Sequence, residues 1–199
     1  MGKRTGSDTI RYALKDKPVI TSLVANGDLD ALLKTSSTIA FVLVGDIFSI
    51  ERTVAKIQEA GKLAFVHFDL IAGIGKDQMG VRFLAHKIGA DGLVTTRSNI
   101  ILTAKQHHLL TIQRLFAFDS VSIDNGIKVI KGTQPDAIEV LPGMVVPRIV
   151  DRITMKLDLP IIAGGLITEL TDVETALKCG AIGISTSTQQ LWQWQDGNE

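Results

Sequence analysis

The chain has 199 residues, 45% of them hydrophobic and 21% charged, with a formal net charge of zero. That is the profile of one soluble globular domain, and it excludes a chain-wide basic field, so nucleic-acid binding requires a local patch. No apolar run is long enough to span a bilayer, the segment Met1-Gly2-Lys3-Arg4-Thr5-Gly6 lacks the apolar stretch of a secretory signal, and the lone Cys179 fits a reducing cytoplasm.

Residues 1–18 read as an N-terminal arm, basic through Arg4, Arg11, Lys15 and Lys17, either a short helix or a loose leader. Eight apolar, β-branched runs follow, at 19–24, 39–44, 63–70, 92–96, 110–116, 137–141, 161–163 and 182–185. Their continuous apolarity suits strands buried on both faces, and helical patterns separate them, as a parallel α/β sheet requires. Gly61, Gly89 and Gly180 each stand where a helix must stop before the next strand, and glycine tolerates the left-handed position there. Asp28 and Ser49 are candidate N-caps, and Thr171-Asp172-Val173-Glu174 reads as a capping box. Eight such units predict a single-domain α/β (β/α)₈ barrel of the TIM type over 19–199, with an open sheet of six or seven strands as the alternative.

In a barrel of this kind the functional face gathers the C-terminal ends of the strands. Those positions hold Ser22, Asp46, His67, Asp69, Thr96, Arg97, Gln113, Arg114 and Glu139. Asp46 either binds a ligand hydroxyl or a metal, or begins a turn. His67 and Asp69 alternate on the third run, so both are expected on one face, with Arg97 or Arg114 as compensating charge. The arginines carry planar forks suited to phosphate or carboxylate, or else form structural ion pairs. Glu139, flanked by apolar strand residues, is expected at the barrel mouth accepting hydrogen bonds from a polyol.

The last two units carry the sharpest signal. Ile161-Ile162-Ala163-Gly164-Gly165 and Gly183-Ile184-Ser185-Thr186-Ser187 are strand ends rich in small and hydroxyl residues. Adjacent loops of this type at the seventh and eighth strands build the phosphate site of many such barrels. Gly164, Gly165, Ser185, Thr186 and Ser187 are therefore the phosphate candidates, and Asp69, Arg97, Arg114 and Glu139 the polyol candidates. No strand-end lysine is placed to form a Schiff base, and metal-chelating spacing is absent, which leaves a metal at Asp46, Asp69 and Glu139 undecided. For RNA the candidates are Lys105, His107 and His108 at a basic helix end, with solvated surface as the plainer reading. Trp192 is expected to pack the last helix on the barrel.

The ordered set Val66-His67-Phe68-Asp69-Leu70-Ile71, Thr95-Thr96-Arg97-Ser98, Ile112-Gln113-Arg114, Ile138-Glu139-Val140-Leu141-Pro142-Gly143, Ala163-Gly164-Gly165 and Thr186-Ser187 resembles the glycerol uptake operon antiterminator regulatory proteins. The likeness spans nearly the whole chain from Val19. It implies a cytoplasmic regulator with a TIM-barrel-like fold, glycerol 3-phosphate as effector, leader mRNA as partner, no cofactor and no catalytic residue, with a homo-oligomer left open. Two features depart from the pattern: Thr188 stands where the family pattern has asparagine, and the segment before the first strand is longer and more basic. The alternative reading is a barrel enzyme, an isomerase, lyase or phosphodiesterase, acting on a small polyol or sugar phosphate.

Overall fold

The computed structural model describes residues 5–194. Its eight strands are β1 (Val19–Leu23), β2 (Ile39–Val42), β3 (Leu63–His67), β4 (Gly92–Thr95), β5 (Leu110–Phe116), β6 (Ala137–Leu141), β7 (Ile161–Gly164) and β8 (Gly183–Thr186). They close into a parallel barrel in sequence order, β8 pairing back onto β1 through Val19↔Ile184 and Thr21↔Thr186. The helices are α1 (Gly6–Leu14), α2 (Leu29–Leu33), α3 (Ile50–Glu59), α4 (Gln78–Phe83), α5 (Ser98–Gln106), α6 (Ser120–Thr133), α7 (Val146–Thr154), α8 (Leu170–Lys178) and α9 (Gln189–Trp192). This is the expected (β/α)₈ barrel.

Alternation along each strand divides the apolar residues into an inner and an outer set. The inner set, Ile20, Ile39, Phe41, Phe65, Val94, Ile112, Ala137 and Ile162, fills the barrel and is continuous with Ile10 and Leu14 of α1. The first helix therefore seals the floor of the barrel. A Thr5–Asp8 capping box starts it, and Ser7 Oγ donates to the carbonyl of Asp136. Gly183 makes room for this plug, since a Cβ there would lie 2.7 Å from Leu14 Cδ1. The outer apolar sets join the strands to the surrounding helices.

Gly61, Gly89 and Gly180 take positive φ of 76°, 70° and 106° at the helix ends, as their placement predicts. Before Gly89 the helix α4 widens into a π-helical turn over Leu84–Ile88. The caps differ from expectation at three places. The box of α8 lies two residues earlier, where the Asp172 carboxylate accepts from the N–H groups of Thr168 and Glu169. Ser49 stands at an N-cap position, but its hydroxyl contacts the Asp46 carboxylate at 3.0 Å. Asp28 likewise makes no cap bond and instead accepts from Gln189 Nε2 at 2.9 Å. At Ser49 and Asp28 another side chain takes up the group that would have capped the helix.

A floor made of two buried apolar side chains has a measurable weight. Ile10→Ala is expected to lower unfolding free energy by about 2–5 kcal/mol, read from urea denaturation, because the cavity left beneath Phe41 and Phe65 cannot collapse fully.

Candidate functional site

Above the apolar inner layers the barrel turns polar. Glu139 on β6 is 1% exposed, yet both of its carboxylate oxygens are occupied. Arg114 Nε, on the adjacent strand in register with it, donates to Oε2 at 2.5 Å, and Ser185 Oγ donates to Oε1 at 2.6 Å. Gly164 lies beneath this knot. A Cβ there would sit 2.5 Å from Glu139 Oε1 and 2.4 Å from Ser185 Oγ, so the missing side chain is the space the carboxylate occupies. A charge buried this deeply is stable only when paired and hydrogen-bonded. The terminal NH₂ groups of Arg114 have no protein acceptor among the described residues and stand at the wall of a cavity.

That cavity, of about 380 Å³, opens at the C-terminal end of the barrel. Arg114, Glu139 and Ser185 form its polar wall with Ser22, and Leu43, Val24 and Leu141 its apolar one. Gly165, Leu166, Ile167 and Thr168 from the β7–α8 loop, and Thr186, Ser187 and Thr188 after β8, close the rest. Gly165 and Leu166 both take left-handed backbone, at φ 70° and 58°. Glycine adopts it freely, whereas Leu166 does so at some strain and remains largely exposed at the cavity. Thr186 knits the two loops together. Its hydroxyl donates to the carbonyl of Ile167 at 2.8 Å and accepts from the N–H of Thr188 at 3.1 Å, while its own carbonyl accepts from Trp192 Nε1 at 2.8 Å. Trp192 is thus the packing residue expected of it.

Of the nine candidates, Gly165, Arg114, Glu139, Ser185, Thr186 and Ser187 line one cavity, with Gly164 directly below. Asp69 and Arg97 do not line it. The strand β3 ends at His67, so Asp69 lies in the following turn rather than on the strand. There it accepts from Thr95 Oγ1 at 2.8 Å, the Thr96 N–H at 3.3 Å and Arg97 Nε at 2.7 Å. Asp46 is a turn residue: its carboxylate accepts from the N–H groups of Phe48 and Ser49, bonds that hold it below the usual carboxylate range, those to Ser49 most strongly. Gln113 faces outward and accepts from Thr133 Oγ1. Among the described residues no three metal-capable side chains cluster. Leu166, Ile167, Thr168 and Thr188 were not candidates in the sequence. Thr188 alone carried a signal there, as a departure from a family pattern.

His67 is 3% exposed and points inward from β3, and neither ring nitrogen has a hydrogen-bond partner among the described residues. Burial, reinforced by the charge of Arg114 and opposed by Asp69, pushes its pKa down from 6.5 to about 4.

The RNA candidates sit at the other end of the barrel, where α5 runs out before β5. His107 Nδ1 lies 3.1 Å from His86 Nε2, and Lys105 Nζ donates to the Gln134 carbonyl. At the cavity end, Phe116, the last residue of β5, and Phe118 just beyond it stack with ring centroids 5.5 Å apart and planes at 4°, and Phe118 is 77% exposed.

The buried imidazole makes a pH prediction. The unfolded chain takes up a proton at His67 as pH falls through 6.5, while the folded chain resists until about 4. Its contribution to stability is therefore intact above 6.5 and lost progressively below it, by about 3 kcal/mol at pH 4. Urea denaturation between pH 7 and 4 should show this loss, and His67→Phe should flatten it.

The chain was compared with known proteins. A model of the family described as glycerol-3-phosphate responsive antiterminator matches residues 19–192. YgcP of Escherichia coli (strain K12), an uncharacterized protein, is 34% identical over 181 residues, covering 91% of this chain and 94% of its own. Among solved structures, a glycerol uptake operon antiterminator regulatory protein from Listeria monocytogenes str. 4b F2365 superposes with a TM-score of 0.84 at 37% identity, covering 89% of this chain and 95% of that one. A glycerol uptake operon antiterminator-related protein from Thermotoga maritima MSB8 gives 0.80 at 29% identity, covering 89% and 98%. Orotidine 5'-phosphate decarboxylase from Pyrococcus horikoshii OT3, at 15% identity and a TM-score of 0.67 over 90% of this chain and 99% of that one, shares the fold alone. No helix among the described residues is long and apolar enough to cross a membrane. With the match covering nearly the whole barrel, this chain belongs to the glycerol-3-phosphate responsive antiterminator family.

Proposed function

We propose that the chain is a cytoplasmic, glycerol-3-phosphate-gated, RNA-binding antiterminator that acts on the leader mRNA of glycerol-metabolism genes. The observation that carries this reading is one cavity lined both by Arg114, whose terminal NH₂ groups have no protein acceptor among the described residues, and by the joined loops of Gly165 and Ser187–Thr188. A phosphate monoester fits there with its oxygens toward the loops and Arg114, and Glu139 offers acceptor oxygens to the hydroxyls of the polyol. Gly164 acts beneath the site and Thr186 between its loops, so both shape it rather than touch the ligand. The Asp69–Arg97 pair belongs to the neighbouring rim.

Binding without turnover is supported by the state of Glu139. Fixed between Arg114 and Ser185, it already accepts a hydrogen bond at each carboxylate oxygen and is poorly placed to shuttle a proton. Gating requires that the ligand bind one arrangement of the mouth more tightly than another. The β7–α8 loop, with two successive left-handed residues at the cavity, is the segment whose arrangement a phosphate would bias. The RNA-facing surface in this reading is the same end of the barrel, where the exposed Phe116–Phe118 stack offers a platform for unpaired bases.

Calorimetric titration with glycerol 3-phosphate should give a saturable isotherm with no continuing heat. Sustained heat would mean turnover and an enzyme, and no heat at all would remove the effector assignment. Transcription across a glycerol-operon leader terminator should read through only when protein and glycerol 3-phosphate are both present. Phe118→Ala should weaken leader-RNA binding by about 1–3 kcal/mol in a filter or mobility assay, while glycerol 3-phosphate binding stays unchanged.

A further inference from the structure

Resting on the reading just given, we infer that His67 is the residue that reads the uncharged, hydroxyl-bearing end of the bound phosphoester at the inner end of the cavity. His67 and Phe65 alternate on the inner face of β3, and Phe65 packs inside the barrel against Phe41. The β2–β3 register pairs Phe41 with Phe65 and Val42 with Val66, and Leu43 and His67 are the next residue along each segment. Leu43 lines the cavity, as does Arg114, whose charge acts on the imidazole. His67 thus stands on the inner barrel face, buried behind the residues that line the cavity and not itself one of them.

The chemistry of the imidazole narrows what it recognises. Kept neutral, it presents one N–H donor and one lone-pair acceptor. Both are buried and unpartnered, a condition that native proteins seldom leave uncompensated. Two of the charged neighbours that bear on it, Asp69 and Lys76, are already engaged, and Arg114 holds Glu139 through Nε. Asp69 holds Thr95, Thr96 and Arg97, and Lys76 Nζ donates to the carbonyls of Phe68 and Ile71. A hydroxyl matches the neutral ring because it too both donates and accepts. A second phosphate or a carboxylate offers acceptors only and leaves one ring nitrogen unsatisfied. His67 therefore selects small monophosphates whose far end carries hydroxyls, with the phosphate held at the outer loops.

The test is calorimetry on the wild-type chain, His67→Phe and His67→Gln, each titrated with glycerol 3-phosphate and with inorganic phosphate. His67→Phe fills the same space without polar atoms and should weaken glycerol 3-phosphate binding by about tenfold or more, as loss of a buried hydrogen bond does, with inorganic phosphate unaffected. His67→Gln retains a donor and an acceptor and should recover part of the affinity. Equal binding of glycerol 3-phosphate by wild type and His67→Phe overturns the assignment while leaving the proposed effector standing. A parallel loss for both titrants overturns it too. Failure of the wild type to bind glycerol 3-phosphate removes both. Should His67→Phe fail to fold, the imidazole nitrogen resonances of wild-type His67 decide: a change with glycerol 3-phosphate but not with inorganic phosphate supports the assignment, and no change overturns it.

Discussion

A carboxylate that is almost wholly buried near the top of a β-barrel dictates much of what surrounds it. Glu139 needs a cation, and the register of β5 against β6 brings Arg114 beside it. Its second oxygen needs a donor, which Ser185 provides from β8, two strands away. The strand between must then carry no side chain at that level, and β7 places Gly164 there. Four strands are tied to one another by this requirement. The compensation is local and Arg114 also lines the cavity, so in the proposed reading the interaction that neutralises the buried charge also prepares a site for an anion.

The two ends of the barrel are built for different tasks. At the floor, α1 inserts Ile10 and Leu14 into the inner apolar set, and the strand openings there are closed to solvent. At the mouth, no helix plugs the interior, and the inner layer becomes polar. The result is a rigid apolar foundation beneath a small group of polar side chains. Positional precision at the site comes from strands, as ligand geometry requires, while the β7–α8 and β8–α9 loops supply backbone that can approach closely. Thr186 joins those loops through its hydroxyl, which donates to Ile167 in one and accepts from Thr188 in the other.

His67 has a place in the same design. Barrel closure sets it near Arg114 and away from any protein partner, and the positive charge and the dry surroundings together keep it neutral. A neutral ring beside a cation extends the chemical range of the site, from charge recognition at one end to hydroxyl recognition at the other. Asp69, paired with Arg97, still favours a protonated ring, but burial and the charge of Arg114 outweigh it.

The sequence by itself determined the architecture. Eight β-branched runs at regular spacing, with glycines at the helix ends, have few solutions other than a parallel barrel, because continuous apolarity demands cover on both faces. It also marked Arg114, Glu139, Gly165, Ser185 and Ser187 as neighbours, since strand ends of one barrel must share a face. Tertiary structure alone decided the rest. Asp69 and Arg97 read as ligand groups, but where β3 stops turned them toward each other. Gly164 read as a phosphate candidate, and packing across β6, β7 and β8 decided that the space over its Cα is taken by the Glu139 carboxylate. Leu166 carried no signal, because a left-handed backbone at a leucine is imposed by the loop it closes and not by its own preference. Periodicity is a property of neighbours in the chain, whereas the partner of a buried charge is chosen by neighbours in space.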